Sequence, residues 1–405
     1  MRNDVMAFTF SGRAMNAARR IVSIALLSLA ACARAAVNPA PVATAPTVQP
    51  HPSGSVTPAA AVAPSDGLPA RLTDAEFWKL QADISEPGGY FQIRDNFTSN
   101  EMEVGALFTM LRESNVAGDV YMGVGPEQNF TYIASIRPRM AFIVDIRRQA
   151  VVQHLMFKAF FELAKDRADF ISLVFAKPRP PGLDTSTSIQ AIWEAYRNVA
   201  TDSALAAKTY VQVTERLFKT HGFTFTQDER ETLKYVFDAF YGYGPSIATR
   251  GFANGRGGDF AELTGYSTDR TGQPRSFLSS EENYRTLKSL HERNLIVPVS
   301  GDFGGPKAVR AIGAYLTQHH ATLRAFYVSN VEQYLFQDGK SLAFYENVAS
   351  IPVDSASVFI RPYSMRRGFG GYSGPTQSLC PIGPFIAAAR AGRVRYNDEA
   401  LACVK

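Results

Sequence analysis

The sequence predicts a doubly wound, mostly parallel α/β sheet interrupted by a large helical insertion. Three observations predict it. Met140–Ile146 and Leu323–Ser329 are short continuous apolar runs, as expected of strands buried on both faces. Glycine-bearing turns follow two strand-like runs, at Gly123–Pro126 and Gly301–Pro306, each leading into a helical pattern. Between about 169 and 293 the alternation stops and the pattern is mostly helical.

The elements follow in order. Thr73 with Glu76 has capping-box spacing ahead of Phe77, Trp78 and Leu80, and Thr98 with Glu101 repeats it before Met102, Leu107 and Leu111. Asp119–Gly123 is a short β-like run. Pro126 is placed as a first helical residue, with Phe130, Tyr132 and Ile133 behind it. A helix from about Gln149 carries His154, Lys158 and Glu162 on one face at i, i+4 spacing. That face is expected to be solvated or salt-bridged, with a general base at His154 as the sharper reading. In the insertion, Thr226 with Glu229 and Ser279 with Glu282 are capping boxes and Gly222 is a C-cap. Leu295–Val299 is a strand, Lys307–His319 a helix, and Val358–Arg361 a last strand.

Composition narrows the function. The chain has 405 residues, 46% of them apolar and 20% charged, enough to bury a core. Its formal charge is +5, but Arg2, Arg13, Arg19 and Arg20 against Asp4 put +3 of that in residues 1–31. The remainder has no electrostatic footprint for nucleic acid. Three Cys exclude a cysteine-rich zinc module, and H-E-x-x-H, C-x-x-C and G-x-S-x-G do not occur. Gly301–Lys307 lacks the G-K-[ST] of a phosphate loop. No metal is expected.

Residues 1–31 read as an export signal: Arg19-Arg20 precede an apolar run from Ile21 to Ala31, too short for a permanent span. Leu29-Ala30-Ala31-Cys32 resembles the lipobox of bacterial lipoproteins, which implies cleavage before Cys32 and lipidation of its thiol. Acyl chains contribute about 0.8 kcal/mol per buried CH₂. Ala33 follows the Cys, so the expected destination is the outer membrane, facing the periplasm. The alternative is cleavage near Ala35-Ala36 and a soluble periplasmic protein. Residues 32–70 are rich in Ala, Pro, Val, Ser and Thr, a disordered tether reaching on the order of 35 Å. Residues 366–405 form a Gly/Ser/Arg-rich tail with little core of its own. In an oxidising periplasm a disulfide between Cys380 and Cys403 is its simplest staple.

The candidate site begins at Gly123-Val-Gly125-Pro126-Glu127-Gln128-Asn129, with Asp145 twenty residues after Gly125. Glycines after a first strand let a ligand approach the backbone. The following helix presents free N–H groups, and an acid ending the next strand can accept from ribose hydroxyls. The alternative is a tight turn with Asp145 paired to Arg147 or Arg148. Arg94, Asp95, Asn96, Asn100 and Glu101 form a polar patch ahead of this strand. It reads either as a lid bringing Arg94 and Asn96 to a ligand or as helix capping.

The blocks RDNFTSNE (94–101), GVGPEQNFTYIA (123–134), AFIVDIRR (141–148), HLMFKAFFEL (154–163), NLIVPVSGDFGGPKAVRAIG (294–313) and FYVSNVEQYLF (326–336) resemble an uncharacterised bacterial, lipoprotein-like family typified by a leptospiral protein. Its members are similar in fold to class I S-adenosylmethionine methyltransferases, which implies a Rossmann-like domain over about 71–365. Gly123 and Gly125 match the first two glycines of the cofactor loop, and Pro126-Glu127 stand where a third is usual. Tyr121 replaces an acidic residue. Asp145 matches the ribose-binding carboxylate, and Asp302 is similar to the residue at the adenine edge. Asn330 lies where substrate-facing groups are found. The resemblance implies S-adenosylmethionine-dependent methyl transfer to an unidentified acceptor, with Arg94 and Asn330 orienting it. The second reading is a non-catalytic periplasmic lipoprotein that binds a small polar or nucleoside-like ligand and keeps the cleft but not the cofactor, since S-adenosylmethionine is made in the cytoplasm.

Overall fold

The computed structural model describes residues 67–101, 104, 107–108, 110–111, 118–249, 251–252, 258–269, 271–363 and 376–404. Cys32, the signal segment, all but the end of the 32–70 tether, and residues 366–375 of the tail lie outside the described residues.

Eight strands are described: β1 Val120–Gly123, β2 Met140–Asp145, β3 Ile247–Ala248, β4 Gly251–Phe252, β5 Ile296–Ser300, β6 Leu323–Tyr327, β7 Val358–Tyr363 and β8 Thr376–Pro381. Six form one sheet in the order β5-β2-β1-β6-β7-β8, while β3 and β4 make a separate two-residue hairpin. All neighbours in the main sheet are parallel except β7 and β8. The chain leaves β1 to one side through β2 and β5, then returns to the other side at β6. That reversal makes the β1/β6 boundary the topological switch point, where open α/β sheets bind ligands. Burial of every residue of β1, β2 and β5 explains their unbroken apolar composition.

The helices are α1 Asp74–Ile84, α2 Gln128–Ile136, α3 Arg148–Leu163, α4 Arg167–Phe175, α5 Ile189–Tyr196, α6 Ser203–Glu215, α7 Gln227–Tyr243, α8 Phe260–Gly265, α9 Glu281–Glu292, α10 Ala308–Gln318, α11 Val331–Gln337, α12 Ser341–Val348, α13 Ile382–Arg390 and α14 Asn397–Leu401. A π-helical turn, Arg216–Thr220, extends α6. Helices α4 to α9 make the insertion. The boxes at Thr73/Glu76 and Thr226/Glu229 are formed, and Gly222 is left-handed at φ +68°. The cap of α9 is Ser280 rather than Ser279: its hydroxyl accepts from Asn283 N, while Ser279 donates to Ser276 O. No helix among the described residues is long and apolar enough to cross a membrane.

Insertion and sheet share one aromatic core. The Phe130 ring meets Phe157, Phe161 and Phe277 edge-on at 5.4–5.5 Å, a geometry favoured by the ring quadrupole. The face carrying His154, Lys158 and Glu162 is buried. Lys158 Nζ donates to Glu162 Oε1 at 2.6 Å, and His221 bridges Glu162 Oε2 and Asp74 Oδ1, both at 2.7 Å. Burial pushes the Glu162 carboxyl up, but bonds from His221 and Lys158 outweigh it and hold the group below its ordinary range. This network ties α1 to the insertion.

The tail corrects its expectation. Beyond 375 it supplies β8 and α13, burying Ile382, Phe385, Ile386 and Ala388, so the folded unit runs on to 404. The Cys380–Cys403 disulfide is formed, with Cα atoms 5.7 Å apart. A segment read as Gly/Ser/Arg-rich finds its core because β7 already offers an open edge and Phe359 a ring for Phe385 to pack against, at 5.8 Å.

Candidate functional site

A cleft of about 330 Å³ opens at the C-terminal edge of the sheet, at the switch point. Gly125 beyond β1, Asp145 at the end of β2, Asp302 beyond β5 and Asn330 beyond β6 all line it. The strand ends supply its floor. Its roof is the segment between α1 and β1, through Tyr90–Ile93, Asn96, Ser99 and Asn100.

The roof is pinned at both ends. Glu86 N donates to Ser300 O at 2.7 Å and Gly89 N to Ile146 O at 2.7 Å, laying the segment across the ends of β5 and β2. Gly89 is required there, because a Cβ would come within 2.7 Å of Ile146. The Glu86 carboxylate accepts from the backbone N–H groups of Asp302, Lys307 and Ala308. It therefore fills the anion niche at the N-terminus of α10 that the second glycine-rich turn creates. At the other end Ser99 N donates to both oxygens of Glu127, and Ser329 Oγ donates to Glu101 Oε1 at 2.7 Å. Ser99 Oγ also accepts from Glu101 N, and Thr98 Oγ1 donates to Ser99 O.

The first glycine loop is knitted by a side chain. Asn129, fully buried, donates from Nδ2 to the carbonyls of Val124, Gly125 and Pro126 and accepts from Tyr121 Oη at 2.9 Å. A Cβ at Gly123 would sit 1.9 Å from Asn129 Oδ1, so this glycine makes room for the protein rather than for a ligand. Gly125 differs: at φ +78° it needs glycine, and a Cβ there would meet only Asn96 Nδ2, at 4.0 Å across the cleft. His154 supports the loop from α3, its Nε2 lying 2.8 Å from Gly125 O. Burial pushes its pKa down to about 4, which keeps the ring neutral, with Nε2 as donor to that carbonyl. It is thus a loop support rather than a general base.

Two of the three carboxylates that line the cleft, Asp145 and Asp302, are already paired, whereas Asp338 is exposed and has no ion pair among the described residues. Asp145 Oδ1 accepts from Arg147 N and Nε, and Oδ2 from Arg147 Nη2 at 2.7 Å; both side chains are almost fully buried. Asp302 accepts from Gly304 N and from Lys340 Nζ at 2.6 Å. Two expected contributors point elsewhere. Arg94 stacks over the Tyr235 ring at 5.3 Å, because Tyr235 Oη on α7 donates to neighbouring Asp95 and draws that part of the roof outward. Glu127 turns inward beneath the roof. Besides Asp338, the uncommitted polar groups are carboxamides. Among the described residues the side chains of Gln92, Asn96, Asn100, Asn330 and Gln337 line the cleft without a hydrogen-bond partner. Phe91 and Tyr334 add a ring pair, edge-on at 4.9 Å. Gln92, Phe91 and the Asn129 clamp were not anticipated, and only Asn129, in the first turn after a glycine loop, carried a sequence signal.

These residues do not fit S-adenosylmethionine. Its methionine end carries an ammonium, a carboxylate and a sulfonium, which call for free charges and an open loop. Here Asn129 fills the approach at Gly123, Asp145 is bound by Arg147, and Glu127 is withdrawn. Among the described residues no group of His, Cys, Asp and Glu is arranged to hold a metal ion.

Glu127 makes the cleft's support pH-sensitive. Burial pushes its carboxyl from 4.5 up to about 8, against the bond from Ser99, with nearby Glu101 adding to the rise. The folded chain then keeps a proton that the unfolded chain releases, so this contribution to stability is complete below pH 4.5 and is lost as pH rises to about 8. Glu127→Gln keeps an acceptor for Ser99 without the charge. Its stability relative to the wild type is expected to climb across that window by on the order of a few kcal/mol. Denaturation midpoints at a series of pH values check this, and parallel curves would refute it.

No curated protein matches the chain. A family model described as "Domain of unknown function (DUF7790)" matches residues 96–244 and 258–379, covering the roof beyond Asn96, the glycine loop, most of the insertion and every strand of the sheet through most of β8. On that match, the chain belongs to the DUF7790 family.

Proposed function

We propose that the chain is an exported protein, anchored in the outer membrane by lipid on Cys32 and facing the periplasm, whose methyltransferase-like domain binds a small, uncharged, nucleoside-like ligand. One observation carries the ligand reading: residues from four strand ends converge on one cleft at the switch point, and the groups left free there are carboxamides, aromatic rings and a single exposed carboxylate, Asp338. Carboxamides pair with hydroxyls and base edges as both donors and acceptors. Flat rings stack on Phe91 or Tyr334. A volume of about 330 Å³ suits a ligand of nucleoside size.

Between the two forms of the hypothesis, the cleft favours the binding module over methyl transfer, because Asn129 fills the approach at Gly123, Asp145 and Asp302 are paired, and among the described residues no cationic group is left free for the carboxylate of the cofactor's methionine end. The disulfide agrees with export, since such bonds persist in oxidising compartments. Native mass spectrometry of protein purified from its own host identifies the ligand without a guess. Calorimetry should then show adenosine binding more tightly than S-adenosylmethionine. Asn330→Ala and Gly125→Val should each weaken it by about tenfold or more. Tight S-adenosylmethionine binding that survives both substitutions would sink this reading.

A further inference from the structure

The helical insertion holds a second cavity, of about 400 Å³, sharing no lining residue with the cleft. Its chemistry is different. No Asp or Glu lines it, and Lys177 and Arg197 do. Arg197 is ion-paired to Glu194 on the solvent side. Lys177 is not ion-paired. Only two lysines are buried among the described residues: Lys158 lies on Glu162, whereas Lys177 has no carboxylate within 4.0 Å. The Lys177 ammonium donates to Val199 O, which uses one of three donors. Burial pushes its pKa down, and no acidic group offsets that. A buried ammonium without a counter-charge is costly, and an anion in the cavity would remove the cost.

The walls define the rest of the occupant. Trp193 is almost buried and Tyr266 is half exposed, so the space is flanked by one inner and one outer ring. Gly242, in the last turn of α7, opens onto the space, for a Cβ there would meet nothing within 4 Å. Gly244 ends that helix at φ +59°, its missing side chain leaving the Lys177 stem clear at 4.0 Å.

We propose that this cavity is a second binding site, taking a small ring-bearing organic acid whose carboxylate meets Lys177 and whose ring lies between Trp193 and Tyr266. The test is calorimetric titration of the full chain with benzoate and with glucuronate, beside benzamide and methyl glucoside as uncharged counterparts. At least one acid is expected to bind saturably and its counterpart at least about tenfold more weakly. Benzoate alone assigns an aromatic acid and glucuronate alone a sugar acid. Lys177→Met should weaken the acid about tenfold. Because that variant also loses the bond to Val199, Gly242→Leu serves as the second: it fills the cavity from a helical position, keeps the thermal midpoint, and should abolish binding. Saturable binding of neither acid, equal binding of the uncharged counterparts, or unchanged binding in both variants overturns the proposal.

Discussion

Asn129→Ala is expected to destabilise the fold by about 2–4 kcal/mol, because it strands buried polar groups rather than merely removing a contact. The amide satisfies three carbonyls of the glycine loop and the Tyr121 hydroxyl, in a position with no access to water. Alanine leaves Val124 O and the Tyr121 hydroxyl without a partner, while Gly125 O keeps His154 and Pro126 O keeps the backbone N–H of position 129, and it opens a void beside Gly123. Asn129→Asp should be at least as damaging, since a carboxylate cannot donate to carbonyls. Thermal denaturation would register a fall of roughly 5–10 °C for a domain of this size. Ligand affinity at the cleft should fall as the loop loosens. A loss below about 1 kcal/mol would mean that the loop holds its shape without the clamp.

The other large effect lies at Arg361. This side chain is fully buried between the rings of Phe359 and Phe385, at 4.5 and 4.1 Å. Its Nη1 donates to Ala400 O at 2.7 Å, and its Nε lies 3.2 Å from Glu332 Oε2, close enough for an ion pair though not aligned as a hydrogen bond. Arg361→Met leaves the Glu332 carboxylate buried and unpaired, at a cost of about 3–5 kcal/mol. Adding Glu332→Gln keeps an acceptor for Tyr345 Oη and removes the orphaned charge. The double variant should recover most of the loss in chemical denaturation. Equal destabilisation of the single and double variants would show that the pair does not carry the coupling.

Arg361 also shows what a sequence can and cannot disclose. It was legible as the end of a strand, because Val358–Arg361 has the composition of one. Its ion pair was not, since Glu332 and Ala400 are brought to it only by tertiary packing. The same division holds at the cleft. Strand identity and the convergence of Gly125, Asp145, Asp302 and Asn330 follow from buried apolar runs and from the rule that loops at strand C-termini meet at a switch point. The use of each group does not follow. Gly123 looked like a ligand glycine because the reason for a missing Cβ, Asn129, is visible only in space. Arg94 looked like a lid residue because its block lies ahead of the first strand, yet Tyr235, 141 positions on, takes its side chain. The tail hid its strand because Thr376–Pro381 gains its place from the open edge of β7 rather than from its own apolar content.

Glu86 has a consequence for selectivity. Its carboxylate occupies the backbone N–H groups ahead of α10, beside Asp302 on the cleft wall. Proteins that hold nucleotides commonly leave such a helix start to the phosphate. Here a phosphorylated compound would have to evict an internal rival of the same sign, whereas its dephosphorylated counterpart faces no such contest. On the proposed reading, Glu86 would thereby set the cleft against phosphorylated ligands without touching the ligand itself.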